Sequence, residues 1–168
     1  MKPRMDYGKA SPGALRAMVG LEGFVRQGSI EHGLLHLVKM RASQMNGCAY
    51  CIDMHSKDAR AAGESEQRLY ALDAWRETPF YTARERAALA WTEALTNLHD
   101  GHVPDAVFEE ARAQLSETEL MDLTVAVVAI NGWNRIAIAF RNVPGTYQPP
   151  ARKQVEAAEP VGAVAVGA

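Results

Sequence analysis

Cys48 and Cys51 are the chain's two cysteines; they stand three positions apart, with His55 four residues further on. On a helix turning about 100° per residue, positions i, i+3 and i+7 share one side. Cys51 and His55 form an i, i+4 pair, close enough to exchange a proton directly or through one water. Cys48 follows Gly47 and falls at a helix start, where the N-terminus favours a negative sulfur. A free thiol has a pKa of about 8.5, and a helix N-terminus or an imidazole lowers it toward the reactive thiolate. The pair can also close on itself: one sulfur attacks, passing through a sulfenic acid if the target is a peroxide, and the other resolves the product as a disulfide. Spacing leaves the two roles open. Cys48 has the better dipole position and Cys51 the better base.

Other readings of the same residues exist. A CxxC on a helix can be coincidence. Zinc is the sharper rival, with Cys48, Cys51, His55 and His36 as four ligands. Structural zinc, however, usually draws its second ligand pair from a knuckle or hairpin. The reading adopted takes neither metal nor cofactor. Tyr50 can hydrogen-bond near the sulfurs or simply pack. His32, His99 and His102 have no evident partners and read as solvated or loop residues.

Composition narrows the setting. The 168 residues suit one domain with a substantial core, and 48% of them are hydrophobic. The formal net charge is -2, and there is no long basic run. Nucleic acid and anionic membranes are therefore poor partners. The first residues, Met1 to Gly8, contain no apolar core of a secretory signal. No continuous apolar stretch reaches the ~18 residues of a spanning helix. The expected location is the cytoplasm, where a closely spaced cysteine pair is redox-active or metal-binding more often than a structural staple.

The elements that must position these residues read as all-α: one compact domain of about seven helices over residues 1–148. A flexible tail is expected over 149–168, from Pro149-Pro150 through a Val/Gly/Ala-rich end. Ser11-Pro12 starts a helix running to about Arg26, with Gly28 as its stop. The next runs from about Ile30 to Met45 on the stripe of Ile30, Leu34, Leu37, Val38 and Met45. Asn46-Gly47 breaks it, and a third helix spans Cys48 to just before Gly63. A short helix covers Glu66 to Trp75. Thr82 with Glu85, and Ser116 with Glu119, make capping boxes for helices to about Asn97 and Phe140. Between them a helix runs from Pro104 to near Leu115. The final helix is apolar on all sides over Val125 to Ile130, which suggests burial by its own domain and a neighbouring subunit. Asn131 and Asn134 continue its inner stripe. Buried amides need partners, so they read as ties between helices.

The segment Leu37 to His55, with its core Asn46-Gly47-Cys48-Ala49-Tyr50-Cys51 and His55, resembles the alkylhydroperoxidase D-like branch of the carboxymuconolactone decarboxylase family. So do Lys57 to Gly63, Trp75 to Glu77 and Asn131 to Arg135. The resemblance covers about Pro12 to Pro149. It implies an all-α fold assembled as homotrimers or hexamers. It also implies thiol-dependent reduction of hydroperoxides with electrons from a partner dithiol or thioredoxin-like donor. By this resemblance Cys51 matches the attacking cysteine, Cys48 the one that closes the disulfide, and His55 the histidine of a proton relay. The decarboxylase branch generally lacks the CxxC pair. The family usually carries a glutamate twelve positions before the first cysteine; here that position is His36. Without that carboxylate, activity is expected to be reduced, shifted in pH or redirected to other thiol–disulfide exchange or redox sensing.

Overall fold

A computed structural model describes residues 1–150, and among them every regular element is helical. The elements are α1 (Tyr7–Ala10), α2 (Pro12–Gln27), α3 (His32–Met45), α4 (Ala49–Ala62), α5 (Glu66–Tyr70), a 3-10 segment (Leu72–Glu77), α6 (Ala83–Thr96), α7 (Asp105–Gln114) and α8 (Glu117–Phe140). Among the described residues nine helical segments therefore stand where about seven are expected. One extra is α1, a single turn capped by the Asp6 carboxylate, which accepts from Lys9 N–H. The other arises because the expected Glu66–Trp75 helix divides into α5 and the 3-10 segment, which is itself kinked at Ala74. The expected tail lies outside the described residues apart from Pro149 and Pro150.

Local chemistry sets most boundaries. Both capping boxes form as expected, Thr82 with Glu85 and Ser116 with Glu119. Gly47 and Gly63 take φ of +65° and +102°, ending α3 and α4 in backbone that glycine adopts cheaply. Gly28 ends α2 for a different reason. Its φ is −69°, but a Cβ there would sit 3.1 Å from Asp122 Oδ2. That carboxylate accepts from Ser29 N–H at 2.8 Å and Ser29 Oγ at 2.7 Å, docking the α2–α3 turn onto α8.

α3 lies at the centre and packs against α4, α6 and α8. Leu34, Leu35 and Val38 join one core with Leu123, Ala126 and Val127 of α8 and Ala88 of α6. Leu37 and Met40 join a second core with Ala59, Leu72, Trp75 and Leu89. α8 is less enclosed than its composition suggests: Val128, Met121 and Ile138 remain exposed. It is nonetheless long and apolar enough to cross a membrane by length and composition, with a mean hydropathy of 1.5. Asp122, Thr124 and Asn131 interrupt its apolar residues, so no unbroken apolar run announces it. In the fold α8 packs against α2, α3 and α6.

Candidate active site

α4 carries the cysteines into the interior. Cys48 is its N-cap, with extended backbone (φ −83°, ψ 92°), and Cys51 lies in its first turn. Cys48 N–H donates to Ser43 O at 3.0 Å across the Gly47 turn. The dipole advantage assigned to Cys48 from spacing is thus shared by Cys51, which also sits among the unpaired N–H groups of the helix start. The two sulfurs are joined in a disulfide with Cα atoms 5.3 Å apart. Cys48 is 1% exposed and Cys51 2%. Ala137 of α8 and the half-buried Tyr50 pack against them. Burial raises the Tyr50 phenol pKa above its ordinary value, so it stays protonated.

His55 follows one turn after Cys51 and is 6% exposed. Its Nε2 is buried and has no hydrogen-bond partner among the described residues. Burial, aided by the positive charges of Lys39, His36 and Arg26, holds its pKa down to about 3. Asp58 Oδ2 stands 3.9 Å from Nδ1, too far for a hydrogen bond. At that distance its attraction does not offset the burial and the cations. His55 is therefore neutral at physiological pH and has a lone pair to offer.

His36, on α3, is half-buried. Burial lowers its pKa, Asp58 and Glu64 oppose that, and Lys39 and His32 add to it. The fold thus packs Tyr50 on the Cys48–Cys51 pair at the start of α4, whereas His36 lies farther along α3, in the first half of that helix, close enough to His55 for their charges to interact. His32, His99 and His102 are exposed, as expected. Among the described residues no group of three or more His, Cys, Asp or Glu is placed to share a metal ion, and the sulfurs of the zinc alternative bond to each other instead.

Three residues were not singled out from the sequence. Lys39 is buried and ion-paired with Glu22 of α2. A lysine inside an apolar stripe was the available signal. Asp58 stands at i+3 from His55, a readable helical spacing. Tyr147 comes from the segment after α8, and its Oη donates to Asp58 Oδ1 at 2.6 Å. No local pattern announces that contact.

Beneath the site a network of amides ties α3 to α8. Asn46 Nδ2 donates to Asn131 Oδ1 at 3.0 Å and Asn134 Oδ1 at 2.9 Å. Asn134 Nδ2 donates to Ser43 Oγ at 3.1 Å, and Asn131 Nδ2 to Thr96 Oγ1 of α6 at 3.1 Å. Both asparagines act as helix ties, and Asn46 is the residue two before Cys48.

The sequence pattern of the carboxymuconolactone decarboxylase family matches residues 12–94. The uncharacterized protein YdfG of Bacillus subtilis is 43% identical over 142 residues, 84% of this chain and 97% of its own. The chain belongs to the carboxymuconolactone decarboxylase family. Within that family it falls in the alkylhydroperoxidase D-like branch. A protein of unknown function from Agrobacterium tumefaciens, whose suggested role is that of an antioxidant defence protein AhpD, has a crystal structure with TM-score 0.84 and 46% identity. The match covers 87% of this chain and all of that one. The alkylhydroperoxidase AhpD core of a peroxidase-related protein from Ralstonia eutropha JMP134 has TM-score 0.73 at 18% identity, covering 83% of this chain and 75% of its own; that likeness concerns the fold alone.

Proposed function

We propose that the protein is a thiol-dependent peroxidase that reduces hydroperoxides with electrons from a partner dithiol or thioredoxin-like donor in the cytoplasm. The observation that carries this reading is the Cys48–Cys51 disulfide at the start of α4, with a neutral, buried His55 one turn from Cys51. In the reduced protein, His55 takes the Cys51 proton. The thiolate attacks the nearer peroxide oxygen, the O–O bond breaks, and the alkoxide leaves as the alcohol with the proton from His55. Cys51 is then a sulfenic acid. The Cys48 sulfur attacks it, water leaves, and the disulfide forms. Two electrons from the donor dithiol return both thiols.

The near-complete burial of both sulfurs favours a small oxidising substrate. It also makes a local opening at the α4 N-terminus part of each cycle. Tyr50, packed on the pair, helps exclude water. The exposed Val128, Met121 and Ile138 of α8 support a homo-oligomer, trimer or hexamer, that covers them.

The test is hydroperoxide consumption by the reduced protein with a dithiol donor across pH. Cys51→Ser and Cys48→Ser are each expected to abolish turnover, with Cys48→Ser still forming one equivalent of trappable sulfenic acid. Turnover retained in both variants overturns the mechanism.

A further inference from the structure

We propose that Asp58, anchored by Tyr147, is a positioning residue that sets the tautomer and basicity of His55. The segment after α8 then becomes part of the reaction centre. The turnover consequences rest on the peroxidase reading above; the effect on the imidazole and thiol does not.

The two oxygens of Asp58 are used differently. Oδ1 accepts from Tyr147 Oη at 2.6 Å, and Oδ2 faces His55 Nδ1 at 3.9 Å. Closing that gap by about 1 Å would make a hydrogen bond. A carboxylate on Nδ1 favours the tautomer with its proton there, which leaves Nε2 as a bare acceptor. Nε2 is the buried atom without a partner among the described residues. Once His55 takes a proton, the imidazolium faces Lys39 from α3, Arg26 from α2 and His36, all unfavourable to it. Glu22 is engaged by Lys39 and Arg26. Glu64 faces His36 but pairs with Arg68. Asp58 is the carboxylate at hand to offset those charges.

The anchor is more than one hydrogen bond. Gly145 N–H donates to Asp53 Oδ2 at 2.9 Å, and Lys57 Nζ donates to Tyr147 O at 3.1 Å while pairing with Asp53. These contacts strap residues 145–147 along the outer side of α4. Burial and Asp58 push the Tyr147 phenol up to about 12, so it remains a donor across the working pH range.

The experiment uses the full-length reduced chain in a Cys48→Ser background, so that one thiol titrates. Iodoacetamide alkylation of Cys51 is followed against pH, and the His55 ring nitrogens are followed by 15N NMR. With Asp58→Asn, the thiolate limb should move to higher pH and alkylation near neutrality should fall by about tenfold or more. His55 should lose its tautomer preference. Tyr147→Phe should give a smaller shift in the same direction, and Asp58→Glu should recover part of the loss. With both cysteines present, Asp58→Asn should lower kcat while KM for the peroxide holds. A tether without influence on His55 would lower the unfolding midpoint and leave the alkylation profile and 15N shifts unchanged, which overturns the proposal. If Asp58→Asn does not fold, Tyr147→Phe decides by the same readings. Alkylation needs no peroxide, so a wild type that fails to turn over sinks the peroxidase reading and leaves Asp58 to be judged separately.

Discussion

Glu93, on α6, accepts from Arg41 Nε at 2.7 Å, from Trp75 Nε1 at 2.8 Å and from Arg76. His55, on α4, is buried more completely, and its Nε2 meets no donor or acceptor among the described residues. A separate cluster behaves alike: Arg68 joins Glu64, Glu85 and the Phe80 carbonyl. Arg84 likewise joins Glu31 and Glu119. One region answers its buried charges and so fixes helices in place. The other leaves a polar atom unanswered beside a reactive pair. A buried unsatisfied group costs on the order of 1–3 kcal/mol, and such a cost is tolerated where the atom has work to do. The occupied Glu31 also explains why that carboxylate, close to His36 in sequence, does not serve the site.

The comparison breaks most visibly at Glu93. Glu93→Ala should cost about 1–3 kcal/mol, because it leaves the Trp75 indole N–H without its acceptor and leaves Arg41 only the exposed Asp73 as an ion-pair partner. Urea unfolding measures this. The Cys51 alkylation profile of the folded variant should be unchanged. A loss under about 1 kcal/mol, the size of an exposed pair, would make the network ornamental rather than structural.

Acid separates the two regions next. In the unfolded chain His55 takes a proton near its ordinary value of 6.5, and in the folded chain not until about 3. Between those values the unfolded state binds the extra proton, so stability falls as pH drops through this window. The carboxylates Glu93, Glu85 and Glu119 are held below their ordinary 4.5 by hydrogen bonds, those from Trp75, Arg76 and Arg41 outweighing burial at Glu93. Their contribution is fully present above 4.5 and is lost only as pH falls further. Unfolding curves should therefore show destabilisation beginning near pH 6.5, and His55→Gln should flatten the part between 6.5 and 4.5. An unchanged slope in that variant would mean that another group carries the acid sensitivity.

What could be read from the sequence follows the range of the interactions. The capping boxes at Thr82 and Ser116 are three-residue patterns, and both form. The shared face of Cys48, Cys51 and His55 is a helical spacing, and all three turn inward together. Asn131 and Asn134 were placed as ties by the buried-polar argument, and Asn46 and Ser43 supply the partners. Failures begin where the tertiary fold decides. α5 ends at Tyr70, and the 3-10 segment after it is kinked at Ala74, within an otherwise helix-favouring stretch. The Tyr147 contact joins residues 89 positions apart. Lys39 interrupts the buried face of α3 and is answered by Glu22 of α2, a pairing that only the tertiary fold makes. Asp58 is readable by spacing alone, but the family resemblance points to position 36, upstream of the cysteines, whereas the carboxylate that faces His55 lies downstream.

His36 gives the smallest expected effect. Burial keeps His36 neutral near pH 7, so His36→Glu adds an attraction to the His55 imidazolium and should make His55 the stronger base. The gain is limited by Asp58, which faces the same position and would repel a second carboxylate. The expected result is a rise in kcat/KM of less than about tenfold at neutral pH, well under the range of a full general base. The rising limb of the pH profile should move to lower pH. Combining His36→Glu with Asp58→Asn should restore part of what the second change removes, since one carboxylate then serves where two would compete. A loss of activity in His36→Glu alone would place His36 in a different chemistry, with its imidazole rather than a neighbouring charge as the contributing group.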